Sequence, residues 1–345
     1  MSSGQSFTEE WLEGPSSTKF YTRTYTPASS TELKAVVVFV HGFAEHVGRY
    51  QHFHPLFASN GIAVFAFDQR GFGLTAQDTT GKKDKNSAYG KTTWKEQQAD
   101  IAWALEHASA KFPGKPLFLM GHSMGGGEVC GFATQGENGP HCGVLDKLSG
   151  VIATSPLLEQ TKPAGKLLKW VASRASNFAP NVLIPAAVNA SDLSHDPAVG
   201  EAYLKDPLVK QAGGLKNIAD MILKGENLVK SAYTHWPKHL PVLLIHGTED
   251  KVTSHKATQL LHDRISAEKK RITLFTGGYH ELQNEPDGVQ ERLLNEIVGF
   301  INEHLTVPAP KPQAESTPQP PAESTEVEAV TETGPEAIGA TRAKM

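Results

Sequence analysis

Hydrophobic residues in this chain fall into short continuous runs, separated by longer stretches in which apolar and polar residues mix. Six of these runs are typical of strands that are covered on both faces: 35–40, 62–67, 117–120, 151–154, 242–245 and 272–275. Helix-like stretches lie between them, at about 49–59, 91–111, 124–135, 254–266 and 288–304. Strands that alternate with helices predict an α/β fold with a doubly wound, mostly parallel sheet.

Two segments depart from this alternation. Residues 156–237 contain no run typical of a central strand and are interpreted as several helices inserted at the carboxyl edge of the sheet. Residues 307–345 are rich in Pro, Glu, Ser and Thr and contain no Leu, Phe, Trp or Tyr, so they cannot bury enough apolar surface to offset their ordering entropy. We therefore expect a core built from 1–155 and 238–306, a helical insertion at 156–237 and a disordered tail at 307–345.

The composition argues against several classes of protein. Lys and Arg number 33 against 37 Asp and Glu, and the net charge of −4 leaves no basic excess for holding nucleic-acid phosphates. The N-terminal sequence lacks the apolar segment of a signal peptide, and no apolar stretch is long enough to span a bilayer. The two cysteines, Cys130 and Cys142, lack metal-binding spacing, so we expect reduced thiols in an intracellular compartment.

The sequence G-H-S-M-G at residues 121–125 directly follows a predicted strand and precedes a predicted helix. A G-x-S-x-G pattern between a strand and a helix is typical of a nucleophilic serine, because small neighbours permit the strained turn that exposes the hydroxyl. We therefore predict that Ser123 is a nucleophile. The alternative is a glycine-rich turn that carries an unreactive serine.

A nucleophilic serine needs a base to take its proton and an acid to orient that base. In this fold class both follow the serine along the chain, the acid first and the histidine last. Asp250, in the loop after a late strand, is predicted to be the acid, with its neighbour Glu249 as the alternative. His280 follows the last strand and a glycine pair and is predicted to be the base. His122 and His246 are expected to pack beneath the turns instead.

The oxyanion that forms when a serine attacks a carbonyl group needs two backbone N–H donors. One is predicted to come from Met124, directly after the serine, and the other from Phe43, in the loop after the first predicted strand. His41 and Gly42 are expected to shape that loop. Taken alone, this His-Gly pair would indicate only a tight turn.

Further motifs accompany these residues: H-G-F-A-E-H at 41–46 with G-R-Y at 48–50, F-D-Q-R-G-F-G at 67–73, G-H-S-M-G-G at 121–126, D-P-L at 206–208, G-T-E-D at 247–250 and G-Y-H at 278–280. Over roughly residues 10–305 the chain thereby resembles the monoacylglycerol lipases of the α/β-hydrolase superfamily (serine aminopeptidase S33-like), the fungal members above all. The resemblance implies the α/β-hydrolase fold and assigns the nucleophile, acid, base and oxyanion donors to the residues already named.

The resemblance also implies where the glycerol end of the substrate binds. Glu45 and Arg49 would help to hold it, near Tyr203 of the insertion. The alternative for Glu45 and Arg49 is a surface ion pair that braces the loop.

The chain departs from the mammalian members of this family at three positions. Phe43 replaces a small residue, which we expect to narrow the acyl entrance while leaving the backbone donor intact. Thr253 and Gln283 stand where the mammalian enzymes carry a cysteine and a second histidine.

The insertion would then be a cap over the acyl tunnel. One helical face in it carries Leu167, Leu168, Val171, Ala175 and Phe178, and Lys162, Lys166, Lys169 and Arg174 lie towards the other side. An apolar face opposite a basic one is typical of a helix that dips into a membrane or a lipid droplet. The alternative is a cap helix whose apolar face packs on the body of the protein.

Together these inferences predict a serine hydrolase that cleaves monoacylglycerol to fatty acid and glycerol through an acyl-enzyme, with no metal or organic cofactor. The alternatives are a lysophospholipase, carboxylesterase or acyltransferase with the same triad, or a catalytically silent scaffold that binds acyl lipids. Fold relatives that attack with an aspartate are excluded by Ser123. We expect a cytoplasmic protein peripheral to lipid droplets or the endoplasmic reticulum membrane. Ala343-Lys344-Met345, which resembles a peroxisomal address, makes the peroxisome the other location.

Overall fold

The computed structural model describes residues 7–163 and 165–305. In the helix that begins at Lys166, it describes the backbone but not the side chains of residues 166–168 and 170–172. The predicted tail at 307–345, with its terminal Ala343-Lys344-Met345, lies outside the described residues.

Eight of the ten strands in this part of the chain form one sheet, in the order β1-β2-β4-β3-β5-β6-β9-β10. In chain order the strands are β1 (Thr8–Glu13), β2 (Lys19–Tyr25), β3 (Ala35–Val40), β4 (Ile62–Phe67), β5 (Leu117–His122), β6 (Leu148–Thr154), β7 (Leu183–Pro185), β8 (Ala212–Gly214), β9 (Val242–Gly247) and β10 (Lys270–Phe275). The six strands from β4 to β10 in the sheet pair in parallel, and β1 and β2 pair antiparallel at one edge. The predicted mostly parallel α/β sheet is therefore confirmed, and each of the six predicted strands is present.

Helices cover both faces of this sheet. They are α1 (His54–Ser59), α2 (Gly73–Gln77), α3 (Trp94–Lys111), α4 (Met124–Ala133), α5 (Cys142–Leu145), α6 (Lys166–Phe178), α7 (Pro197–Lys205), α8 (Leu215–Lys230), α9 (His255–Arg264) and α10 (Val289–Glu303). One apolar core holds buried side chains of α3, α4, α8 and α9, and a second holds those of α1 and α10. Apolar residues on alternate sides of each central strand feed both cores, which explains why these strands are continuous hydrophobic runs.

The sequence pattern misses or misplaces two elements of the core. The β1–β2 hairpin is not predicted, because its strands TEEWLE and KFYTRTY mix polar residues with aromatic ones and no residue of β1 is fully buried. The helix predicted at 49–59 is shorter than expected. A 3₁₀ turn occupies Val47–Tyr50, and α1 begins only at His54, with Pro55 in its first turn, where proline fits best.

The segment between β6 and β9 carries α6, β7, α7, β8 and α8. It is mostly helical, but β7 and β8 form an antiparallel pair that the sequence pattern does not predict. Their sequences, Leu-Ile-Pro and Ala-Gly-Gly, are too short and too weakly alternating to be recognised. Neither strand joins the eight-stranded sheet. Helix α8 packs against α4 on one side and against α6 on the other, so this segment lies over the carboxyl ends of the central strands.

Candidate active site

Ser123 occupies the sharp turn between β5 and α4. Its backbone has φ 56° and ψ −117°, a conformation that a residue with a side chain rarely adopts. The two glycines of the motif make the turn possible. A Cβ atom on Gly121 would lie 2.2 Å from the carbonyl oxygen of Gly125, and one on Gly125 would lie 2.2 Å from the carbonyl oxygen of Val40. The glycines therefore let three backbone segments touch directly beneath the serine.

The structure brings Ser123, His280 and Asp250 together. The Ser123 Oγ atom lies 3.0 Å from His280 Nε2, and His280 Nδ1 lies 2.7 Å from Asp250 Oδ2. The three side chains come from the loops after β5, β10 and β9, and all are buried. The alternative acid, Glu249, is exposed, so Asp250 is the carboxylate that meets the histidine.

The charged forms of Asp250 and His280 stabilise each other. Burial by itself would raise the pKa of Asp250, but the adjacent His280 and the hydrogen bonds from His246 and His280 hold that pKa well below its usual value. Burial opposes a charged His280 in turn, and the Asp250 carboxylate nevertheless raises the pKa of His280. Asp250 is therefore ionised at neutral pH and stabilises a protonated His280.

Within the described part of the chain, two backbone N–H groups near Ser123 have no hydrogen-bond partner. Met124 is the first residue of α4, where the geometry of a helix leaves the N–H unpaired, and Phe43 lies in the loop after β3. Among the described residues, neither N–H donates a hydrogen bond. His41 fixes this loop as expected, because its Nε2 accepts a 2.8 Å hydrogen bond from the backbone N–H of Gln69. Burial lowers the pKa of His41 to about 4, so the ring stays neutral.

Glu45 and Arg49 form an ion pair, but it is buried rather than on the surface. Arg49 Nη1 lies 3.0 Å from Glu45, and the guanidinium also makes two hydrogen bonds, of 2.7 and 2.9 Å, with Glu281. The other Glu45 oxygen accepts a hydrogen bond from the Tyr50 hydroxyl. Tyr203 of the insertion lies beside this network, its ring centroid 5.0 Å from the guanidinium carbon.

Glu281 is the member of this network that sequence reasoning missed. Burial alone would raise the pKa of Glu281, but Arg49 holds it at about 2. Its position directly after His280 could have indicated this role, because the loop that places His280 in the site also places the next residue there.

A cavity of about 500 Å³ opens above Ser123 and His280. Glu45, Arg49, Tyr203 and Glu281 form one polar part of its wall, called the polar end below. The rest of the lining is mainly apolar, comes mostly from the insertion and includes Phe43, Leu157, Ile184, Ile218, Met221 and Ile222, although Lys162, Lys169, Asp192 and Lys251 line it as well. The Phe43 ring packs so closely on β8 that a Cβ on Gly213 would lie 2.5 Å from it. Ser123 thus lies in a cavity whose wall combines apolar side chains with a cluster of charged ones.

The two histidines expected to pack beneath the turns are both buried. His246 lies beneath the Asp250 loop. His122 also borders the cavity, with its ring centroid 4.9 Å from that of His280. Burial lowers the pKa of His122 to about 3, so this ring is neutral at neutral pH.

Of the three positions at which the chain departs from the mammalian pattern, Phe43 is partly buried, and Thr253 and Gln283 are buried. The Thr253 hydroxyl lies 2.9 Å from Asp250 Oδ2, next to the His280 ring, and Thr253 also lines the cavity. The backbone carbonyl of Gln283 accepts hydrogen bonds from His52 and Gln290, which fixes the loop after His280.

The described residues contain no cluster of three or more His, Cys, Asp and Glu side chains arranged to hold a metal ion. In the same part of the chain, no helix has both the length and the apolar character that crossing a bilayer requires.

The chain is similar to known proteins over most of its length. The sequence profile of the family described as serine aminopeptidase, S33 matches residues 31–287. The chain is 33% identical to a putative monoglyceride lipase of Schizosaccharomyces pombe over 82% of its own length and 71% of that protein. It is 28% identical to a monoacylglycerol lipase of Mycolicibacterium smegmatis, over 81% and 92% of the two chains.

A solved structure is similar over nearly the same region. It is that of a soluble variant of the Saccharomyces cerevisiae monoglyceride lipase in complex with a substrate analog. The TM-score is 0.74 at 25% identity, and the match covers 87% of this chain and 96% of that one.

The close backbone contacts at the serine turn lead to a first prediction. Gly125→Ala should lower stability by about 1–3 kcal/mol or more, because the new methyl group meets the backbone of β3 rather than a movable side chain. Gly143→Ala is the matched control, since a Cβ there would meet nothing within 4 Å. Thermal melting of both variants measures the effect. Equal melting temperatures would show that the turn has room to relax.

A second prediction concerns Glu128, which lies in α4 four residues after Met124. The side chain is fully buried and close to Gln69, and burial raises its pKa from 4.5 to about 8 although Gln69 opposes the shift. Between those two pH values the unfolded chain loses this proton while the folded protein keeps it, so stability falls as pH rises.

Glu128→Gln removes the ionisable group and retains its shape. The melting temperature of the variant should therefore exceed that of the wild type by an amount that grows from pH 5 to pH 8. The exposed Glu106→Gln is the control and should show no such trend. A difference that is constant across this pH range would contradict the raised pKa.

Proposed function

The chain belongs to the serine aminopeptidase S33 family of α/β-hydrolases, among its monoglyceride lipases, and on that basis we propose that it is a carboxylic ester hydrolase that cleaves monoacylglycerol to fatty acid and glycerol. The observation that carries the proposal is the hydrogen-bonded series Ser123, His280 and Asp250 at the floor of a cavity with one apolar and one polar end. Such a cavity suits a substrate made of a long acyl chain and a small polyol.

The reaction follows from the roles of these groups. His280 takes the proton of the Ser123 hydroxyl as its oxygen attacks the ester carbonyl, and Asp250 stabilises the resulting imidazolium. The unpaired N–H groups of Phe43 and Met124 bind the oxyanion. His280 then gives its proton to the departing glycerol oxygen, which leaves an acyl-enzyme. A water molecule, deprotonated by His280, attacks this ester and releases the fatty acid and the free serine.

The two ends of the cavity suggest how the substrate lies. The acyl chain occupies the apolar end, where Phe43 and the insertion exclude water. The glycerol hydroxyl groups lie at the polar end, near Glu45, Arg49 and Tyr203. Because Arg49 already binds two carboxylates, its side chain is held in place before the substrate arrives, and this saves ordering entropy on binding.

The insertion at 156–237 is proposed to be a cap that also contacts lipid. Phe178, at the end of α6, is 90% exposed, and Val182 and Leu183 beside it are exposed too. Lys169 of the same helix is paired with Glu226 of α8. The side chains of Leu167, Leu168 and Val171, which would extend the apolar face, lie outside the described residues. A large exposed aromatic group on a helix with basic residues favours a peripheral contact with a membrane or a lipid droplet.

The proposed activity is tested by a substrate panel of monoacylglycerols, diacylglycerols, lysophospholipids and short-chain esters. Monoacylglycerols should give the highest kcat/KM and release fatty acid and glycerol in equal amounts. Ser123→Ala should lower the rate by at least roughly 10⁴-fold without changing the melting temperature. A preference for lysophospholipids would show that the substrate is a lysophospholipid and not a monoacylglycerol. A wild-type protein that a fluorophosphonate probe does not label would indicate an acyl-lipid-binding scaffold instead.

The proposed lipid contact is tested by Phe178→Ser. Burying one large apolar side chain contributes about 1.5–3 kcal/mol, so its loss should weaken liposome binding roughly tenfold. Turnover of a soluble short-chain ester and the melting temperature should stay unchanged, because the exposed ring packs on nothing that the chemistry uses. Leu260→Ser, on the partly exposed face of α9, is the control. Unchanged liposome binding together with a lowered melting temperature would assign Phe178 to internal packing.

A further inference from the structure

Asp250 receives more hydrogen bonds than a link to the base requires. Its Oδ1 atom accepts from the backbone N–H groups of Val252 and Thr253, at 2.7 and 2.9 Å. Its Oδ2 atom lies 2.7 Å from His280 Nδ1 and also 3.0 Å from His246 Nε2. The Thr253 hydroxyl also lies 2.9 Å from Oδ2. A single carboxylate oxygen is therefore shared by two imidazole rings and a hydroxyl group, and of the two rings only that of His280 reaches the serine.

The surroundings of His246 determine which of its nitrogen atoms carries a proton. Nε2 faces two acceptors, Asp250 Oδ2 and the carbonyl oxygen of Thr253 at 3.1 Å, so this nitrogen must be the donor. Nδ1 lies 2.8 Å from the hydroxyl of Thr258 in α9, which is able to donate. A neutral ring with its proton on Nε2 satisfies all of these partners. His255 of α9 is a further ionisable group near this ring, with its ring centroid 6.4 Å away. On the cavity side, His122, Glu281 and Glu45 are the ionisable groups near His280.

We propose that His246 is a positioning residue: its Nε2–H binds the same Asp250 oxygen as His280 does, and it thereby limits how strongly that carboxylate stabilises the His280 imidazolium. This inference rests on the proposed function, because it assigns His280 as the base. A donor on Oδ2 draws negative charge away from the bond to His280. Without that donor the carboxylate would hold the proton on His280 more tightly. The base would then be neutral, and able to act, only at higher pH.

Two substitutions separate this role from simple packing. His246→Asn keeps an amide beside the Thr258 hydroxyl but is too short to reach Asp250. His246→Gln places an amide N–H where Nε2 lies and restores the donor. Thr258→Val is the control, because it disturbs the opposite side of the ring and leaves the contact with Asp250 in place.

The readout is the pH dependence of kcat/KM on a soluble short-chain ester, whose acid limb reports the ionisation of the base in the free enzyme. In His246→Asn this limb should move upward by about 0.5–1 pH unit, which lowers the rate roughly three- to tenfold at pH values below the wild-type midpoint. His246→Gln and Thr258→Val should keep the wild-type limb. An Asn variant with the wild-type limb, or a Thr258→Val limb that moves as far as that of the Asn variant, overturns the proposal.

A second measurement does not depend on turnover. An NMR titration of the His280 ring in the wild type and in His246→Asn gives its pKa directly. A higher value in the variant supports the role of His246 even if no ester is hydrolysed, and equal values overturn it. Failure of the proposed function would appear differently, as a wild-type protein that neither hydrolyses any ester of the panel nor reacts with a fluorophosphonate.

Discussion

Direct contact between backbone segments beneath Ser123 is the constraint on which the rest of the site depends. The turn that lifts the serine exists only because β5, the start of α4 and the end of β3 approach one another without intervening side chains. The same contact sets the position of the loop after β3, which carries Phe43, relative to the N-terminus of α4. The proposed nucleophile and both proposed oxyanion donors are thus fixed by one packing arrangement. The strained φ of Ser123 is held in place by the surrounding sheet, since strain of this kind persists only where the structure around it is rigid.

Ion pairs between buried side chains also hold the site in place. The interior of this protein contains several charged groups, and those of the site are all paired: Asp250 with two histidines, and Arg49 with Glu45 and Glu281. A buried pair contributes little net stability, but breaking one leaves an uncompensated charge, which is costly. Such pairs therefore hold the loops that carry them in a single arrangement. Glu128 differs from these groups. It is equally buried, but it avoids an uncompensated charge by remaining protonated, because burial raises its pKa.

Most of the fold could be predicted from sequence, and the reason is physical. Central parallel strands must be apolar on both faces, so they stand out as continuous runs, and the strand-turn-helix context of Ser123 is local along the chain. The β1–β2 hairpin and the β7–β8 pair lack that signature, because one is partly exposed and the other is three residues long. Within the site, Glu281 and the second imidazole on Asp250 were missed for another reason. Glu281 pairs with Arg49, which lies 232 residues away in the chain, and the fold shows that the two meet. His246 lies near Asp250 in the chain, but the sequence does not show which way its ring points from the end of β9.

The polar end of the cavity also bears on how the product departs. Two carboxylates face one guanidinium there, and Lys162, Lys169 and Lys251 line the same cavity. In the proposed reaction the substrate is uncharged, whereas the fatty acid is an anion. Of the two, only the product interacts with these fixed charges as an ion, so its release, unlike the binding of the substrate, depends on the salt concentration.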